Sequence, residues 1–117
     1  MTRERDLRDR ILLEASEAGD RLLRQNVGLG WVGRAEKLGG GDVLIHGARP
    51  LHAGLCRGSS DLIGWSPRVI NGQRIAVFTA VELKTGRQQL TDEQRRFLDA
   101  VERAGGIARV IREDDRY

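Results

Sequence analysis

Three charged side chains in the middle of the chain have the types and spacing of a metal site. Asp61 opens the apolar run SDLIGW, and Glu82 and Lys84 close a second apolar run, IAVFTAVELK. Hard divalent cations prefer carboxylate oxygens, and a lysine beside them supplies a compact positive charge. Of the 20 Lys and Arg residues, only Lys37 and Lys84 are lysine. This D…ExK pattern predicts a site for a divalent metal ion.

The pair Asn71-Gly72, between the two runs, predicts the turn that joins them. Asn-Gly suits a type I′ turn, because both central residues of that turn need positive φ. If the pair forms a two-residue loop, Asp61 lies directly opposite Glu82. Lys84, two residues beyond Glu82, then points to the same face. Pro67 suits only an edge or a bulge, and a bulge would shift this register by one residue.

A first helix, over residues 4 to about 18, is predicted to bring an acid towards this hairpin. At helical spacing Glu4 lies near the middle of its apolar stripe, Glu14 lies on the shoulder and Glu17 lies well off it. Glu4 also has a simpler explanation, since an acid in the first turn complements the helix dipole. The stripe consists of Leu7, Ile11, Ala15 and Ala18, and Gly19 is expected to end the helix.

A second helix is predicted from a capping box, with Thr91 as N-cap and Gln94 at the third helical position, and it runs to about Ala104. Gln94 has two interpretations. It could satisfy an N–H at the helix start, or it could approach the metal site or a phosphate as an inward polar group. A final strand over 107–111 and a polar tail follow.

The segment between the first helix and the hairpin gives weaker sequence signals for secondary structure. A short strand is predicted over 21–27, followed by a glycine-rich region from 28 to 58 in which 42–46 could be an extra strand and Arg49-Pro50 begins a turn. No Gly-Lys-Ser/Thr follows LGGGD, so this region is not a P-loop. We expect its two histidines, His46 and His52, to be structural or surface residues rather than metal ligands.

Composition limits the classes of protein that fit. The chain has 117 residues, with 39% hydrophobic, 4% aromatic and 32% charged residues, and a net charge of +3. That length suits one domain over 1–117, and the mild basic excess is compatible with a polyanion partner. The single Cys56 excludes an intrachain disulfide and fits a reducing cytoplasm. No apolar run could span a membrane, and the charged N-terminus does not resemble a secretory signal.

With these residues in place, the chain resembles the VRR-NUC family of PD-(D/E)XK nucleases, in its small stand-alone phage or bacterial form. The matching segments are RLLRQNVG, GSSDLIGW, AVFTAVELKTG and TDEQRRFLDAVERAGGIARV. The resemblance implies an α/β fold with a restriction-endonuclease-like αβββαβ core, a mixed sheet flanked by helices. The Pro of the superfamily motif is replaced by Ser60.

The resemblance also implies roles for individual residues. Asp61, Glu82 and the backbone carbonyl of Leu83 would bind Mg²⁺ or Mn²⁺, and Lys84 would be the catalytic lysine. Glu4 would match the first-helix acid, a less certain metal ligand because Glu14 and Glu17 lie on the same helix. Gln94 would match the glutamine of the later helix. Candidates for contacts to the DNA backbone are Arg24, Arg57, Ser59, Ser60, Arg87, Arg95 and Arg96.

The expected activity is metal-dependent, structure-specific cleavage of DNA, in branched molecules such as Holliday junctions. A two-fold junction favours a homodimer, so that each active site cuts one strand. One alternative is a non-catalytic DNA-binding or assembly module on a nuclease fold, and the intact D…ExK pattern argues against it. Another is a small-molecule phosphoesterase, which the basic balance and the scarcity of aromatic residues make a poorer fit.

Overall fold

The computed structural model describes residues 3–117 and contains two helices and six strands. In chain order these elements are α1 (Arg3–Glu17), β1 (Arg21–Arg24), β2 (Gly28–Gly39), β3 (Asp42–Ala53), β4 (Leu62–Ile70), β5 (Gln73–Lys84), α2 (Asp92–Arg103) and β6 (Ile107–Arg112).

Four of the strands form a mixed sheet in the order β1-β4-β5-β6. The pairs β1–β4 and β4–β5 are antiparallel, and β5–β6 is parallel, as predicted for the terminal strand–helix–strand unit. Alternate residues of β5 face opposite sides: Val81 and Leu83 pack in one core cluster with α1, and Ala80 packs in another with α2. The predicted α/β fold, a mixed sheet flanked by helices, is confirmed.

Helix α1 is held to the sheet by three of its four predicted stripe residues. Leu7, Ile11 and Ala15 are buried, whereas Ala18 is exposed because the helix ends one residue before it. Gly19 has φ 89°, and its N–H donates to the Ser16 carbonyl. The N–H of Asp20 donates to the Ala15 carbonyl. This is a Schellman cap, which agrees with the predicted end of the helix.

The β4–β5 register is the simplest one that Asn71-Gly72 allows. Ile70 pairs with Gln73 and Leu62 pairs with Val81, without a register shift between them. Pro67 pairs with Ala76 and causes no bulge. It is tolerated because β1 pairs with β4 only as far as Trp65, so that β4 has a free edge at position 67.

Most of the glycine-rich region 28–58 forms two long strands, whereas the sequence pattern indicated at most one extra strand there. Strands β2 and β3 form a separate two-stranded antiparallel sheet, named here the arm. The predicted extra strand over 42–46 is real but extends to Ala53. The predicted turn at Arg49-Pro50 is wrong, because Pro50 pairs with Trp31 inside the ladder. The actual turn uses Gly39, Gly40 and Gly41, all at positive φ, a conformation that glycine adopts without steric cost.

The polar tail is packed rather than free. Glu113 forms an ion pair with Arg3 at 2.6 Å, and the N–H of Tyr117 donates to Glu14 at 3.0 Å. The Tyr117 hydroxyl donates to the Asp20 carboxylate. The tail therefore ties β6 to α1.

Within residues 3–117, no helix is long and apolar enough to cross a membrane.

Candidate metal centre

Asp61 lies immediately before β4, and the ladder fixes its position. The first β4–β5 pair is Leu62 with Val81, so the same register extended by one residue places Asp61 opposite Glu82. Its Oδ2 accepts a hydrogen bond from the Leu83 N–H at 2.8 Å. The carboxylate is therefore anchored to β5 through one oxygen and keeps lone pairs for another partner.

Glu82 is a buried carboxyl group with an unsatisfied atom. Only 3% of the residue is exposed, and its Oε2 has no hydrogen-bond partner among the described residues. Burial raises the pKa of Glu82 to about 8, and the neighbouring Asp61 adds to the rise, while Lys84 opposes it. A buried unpaired carboxylate is unfavourable, so this position favours either a proton or a cation.

Lys84 and Gln94 complete a polar cluster around Glu82. The Lys84 Nζ donates to the Gln94 Oε1 at 2.8 Å and lies 3.9 Å from the Glu82 Oε1. The Gln94 Nε2 donates weakly to that same Glu82 oxygen at 3.4 Å. The Gln94 Oε1 also accepts the Thr91 N–H at 3.0 Å, so the capping box is present. Gln94 therefore acts as the cap partner and also contacts Glu82 and Lys84.

The two candidate acids of α1 have different surroundings. Glu4 is exposed, which differs from its predicted inward position, yet it lines a cavity of about 40 Å³ together with Asp61 and Leu83. Glu14 is bound by Arg10, Arg116 and the Tyr117 N–H on another part of the molecule. The Tyr117 N–H is the main reason that the pKa of Glu14 falls to about 2. The geometry associates Glu4, not Glu14, with the site.

The donors at this site fit a hydrated divalent cation. Asp61 and Glu82 supply carboxylate oxygens, one of which is buried without a partner. Mg²⁺ typically binds one or two carboxylates and keeps several waters. The cavity of about 40 Å³ beside Asp61 is lined by Glu4, Arg8, Arg24, Asn26, Asp61 and Leu83, and Glu82 is not among its lining residues. Within residues 3–117, no three Cys, His, Asp or Glu side chains form a compact metal-binding group, so Glu4 does not join the two carboxylates as a third close ligand.

The predicted DNA-contact residues divide into exposed arginines and buried serines. Arg24 lines the cavity beside Asp61, and Arg57 forms an exposed pair with Glu93 at 3.2 Å. Ser59 is bonded to the Cys56 carbonyl, and Ser60 is fully buried. The serine hydroxyls are therefore poorly placed for a phosphate. The other exposed arginines are Arg87, Arg95 and Arg96, which lie between β5 and α2 and at the start of α2.

Gln25 is a positioning residue that the sequence pattern did not indicate. Its Nε2 donates to the Ser59 Oγ at 2.9 Å and to the Ser60 carbonyl at 2.7 Å, and its Oε1 accepts the Leu55 N–H at 2.9 Å. Its own N–H donates to the Asp61 carbonyl at 2.8 Å. Gln25 was predicted to lie inside a strand, but β1 ends at Arg24. No periodic signal distinguishes a glutamine that holds a distant turn.

The histidines do not take part in this centre. His46 lies in the arm, where its Nε2 is 2.9 Å from the Glu36 Oε1, and His52 pairs with Leu29 in the same ladder. Cys56 is an exposed free thiol.

Comparison with known proteins supports the resemblance. The model of the VRR-NUC domain matches residues 48–114, more than half of the chain. The match includes Asp61, Glu82, Lys84 and Gln94 and leaves Glu4 outside it. None of the curated proteins compared with this chain matches it. A VRR-NUC domain carries a nuclease-type function in DNA processing. The chain, with its D…ExK hairpin and glutamine-headed helix, belongs to the VRR-NUC family.

Proposed function

We propose that this protein is a metal-dependent endodeoxyribonuclease that hydrolyses phosphodiester bonds, with branched DNA such as Holliday junctions as its substrate. The observation that carries the proposal is the cluster of buried Glu82 and Lys84 with half-buried Gln94 beside Asp61, in which one carboxylate oxygen is left unpaired. An orphaned buried oxygen is costly in a purely structural cluster. It is expected where a ligand completes the site.

Asp61 and Glu82 would hold Mg²⁺ or Mn²⁺, with the Leu83 carbonyl as a further candidate ligand. When bound, such an ion supplies an acidified water and a positive charge that stabilises the charge developing on the phosphate. Asp61 is oriented for this role by the Leu83 N–H. Glu82 must lose its proton before it can bind the ion, so binding strengthens as the pH rises towards its pKa.

Lys84 would act on the attacked phosphodiester. Its ammonium group is held at 2.8 Å by Gln94, and its side chain is only 10% exposed. A fixed positive charge in a partly dry site can orient a water or neutralise the charge that develops on the phosphate. Because the Lys84 Nζ lies 2.8 Å from the Gln94 Oε1 and 3.9 Å from the Glu82 Oε1, electrostatic stabilisation is the role that this geometry supports.

The exposed arginines would hold the DNA backbone. Arg24 lines the cavity beside Asp61, and Arg87, Arg95 and Arg96 are exposed around the start of α2, the helix that carries Gln94. Arginine-to-phosphate contacts position a duplex without reading its sequence. This arrangement supports recognition of DNA shape, which agrees with a structure-specific substrate.

The proposal can be tested by a cleavage panel of junction, flap, nicked and linear DNA with Mg²⁺ or Mn²⁺. Lys84→Ala should lower the cleavage rate at least 10²-fold while DNA binding is largely retained. Glu82→Gln is tested in the same panel, with Glu102→Gln on the exposed face of α2 as its matched control. Wild-type cleavage by Lys84→Ala would refute the assignment. DNA binding without cleavage by the wild type under every condition would favour the non-catalytic module.

A readout that does not depend on activity tests the ion itself. An ion that binds only the folded chain stabilises it by about 2.7 kcal/mol at 100 times its dissociation constant. Mn²⁺ should therefore raise the melting temperature of the wild type. Asp61→Asn and Glu82→Gln should lose most of this rise, and Glu102→Gln should keep it. An equal rise in all four proteins would show that the ion binds elsewhere.

A further inference from the structure

Arg8 of α1 lines the small cavity beside Asp61 without forming an ion pair across it. Two arginines and two acids are among the residues that line this cavity: Glu4, Arg8, Arg24, Asn26, Asp61 and Leu83. Within residues 3–117, the Arg8 guanidinium forms an ion pair only with Asp9, the next residue in the chain. Arg8 therefore pairs with neither of the carboxylates that share the cavity with it.

The place of Arg8 on α1 keeps most of its side chain out of the solvent. At helical spacing it lies next to the buried stripe of Leu7 and Ile11. Its side chain is 20% exposed, whereas that of Arg5 on the same helix is 58% exposed. Partial burial of a guanidinium costs free energy unless an anion accompanies it. Asp9 meets this need weakly, because its side chain is 57% exposed and its oxygen is 3.4 Å from Arg8.

The guanidinium of Arg8 has the donors that a phosphate group requires. An arginine carries five N–H donors in a planar fork. In Arg8, the Nε and one terminal nitrogen both approach the same Asp9 oxygen. The fork matches the two unesterified oxygens of a phosphodiester, which it can bind through two parallel hydrogen bonds. Among the described residues, Arg8 has no strong partner that would compete with such a ligand.

Arg24 brings a second guanidinium to the same cavity from a different element. It ends β1 and pairs with Leu62, the residue after Asp61, and the N–H of the next residue, Gln25, donates to the Asp61 carbonyl at 2.8 Å. Together the two arginines balance the charges of Glu4 and Asp61. A divalent cation on Asp61 would therefore leave the cavity with an excess of positive charge, which favours an anionic ligand beside the ion.

We propose that Arg8 and Arg24 bind one internal phosphodiester of the DNA in this cavity, and that Arg8 fixes the position of the strand relative to the metal centre. The inference rests on the proposed function for the identity of the ligand, and it adds a residue that the sequence pattern did not indicate. Arg8 is a substrate-binding residue in this assignment, because it bonds the DNA and not the ion. The contact positions the strand without reading its sequence.

A purely structural role for Arg8 predicts different behaviour. If Arg8 served only to offset the charges of Glu4 and Asp61, Arg8→Ala would change the melting temperature and leave the DNA affinity and its salt dependence as they were. The phosphate contact predicts the reverse. Arg8→Ala should bind DNA more weakly, while Mn²⁺ should raise its melting temperature at least as much as it does in the wild type, since a neighbouring positive charge has been removed.

Binding of a four-way junction with hydroxyl ends, followed by fluorescence anisotropy in Mn²⁺, tests the proposal. Every protein in the series carries Lys84→Ala, the parent variant, so that binding is measured without cleavage. Arg8→Ala should weaken binding about tenfold or more and lower the slope of log affinity against log salt by about one phosphate contact. Arg8→Lys keeps the charge but loses the fork, so its affinity should lie between the two. Arg5→Ala, an exposed position of the same helix, is the matched control and should bind like the parent.

Neutral methylphosphonate linkages, introduced one position at a time along a strand, locate the contact. The linkage that weakens binding by the parent should have little further effect on Arg8→Ala or Arg24→Ala. Parent-like affinity of Arg8→Ala, or an equal effect of every linkage in all three proteins, would overturn the inference.

These outcomes are separable from the fate of the proposed function. If the wild type cuts DNA and Arg8→Ala binds like the parent, the nuclease assignment stands and the phosphate site fails. If the wild type never cuts DNA but its binding depends on Arg8 and on one linkage, the phosphate site stands and the nuclease assignment fails.

Discussion

The amide oxygen of Gln94 accepts hydrogen bonds from the Lys84 ammonium group at 2.8 Å and from the Thr91 N–H at 3.0 Å. One atom thus joins the start of α2 to the candidate catalytic lysine at the end of β5. The helix cap and the candidate metal centre share this residue, and substitutions can separate the two roles.

Gln94→Ala should reduce both stability and activity, whereas Thr91→Ala should reduce stability alone. Loss of the cap costs about 1 kcal/mol in either variant. Only the first substitution also frees Lys84, and loss of such a supporting contact lowers activity roughly 10- to 100-fold. Urea unfolding and the cleavage rate at saturating DNA provide the two readouts. Equal activity loss in both variants would mean that Gln94 acts only through the cap.

Glu82 should make the ion-free protein less stable as the pH rises. Its pKa is raised from 4.5 to about 8 in the folded chain, so the folded state retains a proton that the unfolded state loses. The associated loss of stability develops between these two values and is complete above the higher one. Glu82→Gln removes it. In EDTA, the stability of Glu82→Gln relative to the wild type should rise by several kcal/mol between about pH 4.5 and about pH 8.

Thermal unfolding across this pH range measures that gain, with Glu102→Gln as the exposed control. A constant difference between Glu82→Gln and wild type at every pH would contradict the shifted pKa. The same variant should fail to be stabilised by Mn²⁺, which distinguishes a relieved buried charge from a general improvement in packing.

Glu14 should contribute to stability rather than to cleavage. Its pKa is lowered to about 2, chiefly by the Tyr117 N–H, so its stabilising effect is present above the usual 4.5 and is lost as the pH falls towards 2. Glu14→Gln should lower the melting temperature at neutral pH and flatten the acid side of the stability profile. Glu17→Gln, on the same helix, is the control.

Glu4→Gln, unlike Glu14→Gln, should affect cleavage or ion binding rather than stability. Glu4 is exposed and lines the cavity beside Asp61, so its loss should change cleavage or Mn²⁺ affinity with little effect on the melting temperature. If Glu14→Gln impaired cleavage more than Glu4→Gln did, the association of Glu4 with the site would be wrong.

Gln25→Ala should weaken binding of the ion, although Gln25 is not itself one of the candidate ligands. The substitution removes three side-chain hydrogen bonds that hold the turn before Asp61, at a cost on the order of 2 kcal/mol. Mn²⁺ affinity should fall roughly 10- to 100-fold, as for other residues that support a metal ligand. Gln73→Ala, at an exposed position of β5, provides the control. Unchanged Mn²⁺ affinity in a destabilised Gln25→Ala protein would leave Gln25 with a structural role only.

Local signals in the sequence determined the hairpin and the second helix. Asn71-Gly72 fixes the β4–β5 register, because a two-residue turn leaves only one pairing, and that pairing places Asp61 opposite Glu82. The capping box at Thr91 and Gln94 fixes the start of α2, since it depends on hydrogen bonds three residues apart. Such short-range geometry depends only on residues that are close together in the sequence.

Only the tertiary structure decided the remaining features, because each depends on residues far apart in the chain. It separated Glu4 from Glu14 through contacts of the tail with α1. It also buried Ser60 beneath a turn held by Gln25. In the arm, three glycines at positive φ form the turn of a hairpin whose strands show no clear alternation of apolar and polar residues. The backbone pairing that joins the two strands does not require that alternation.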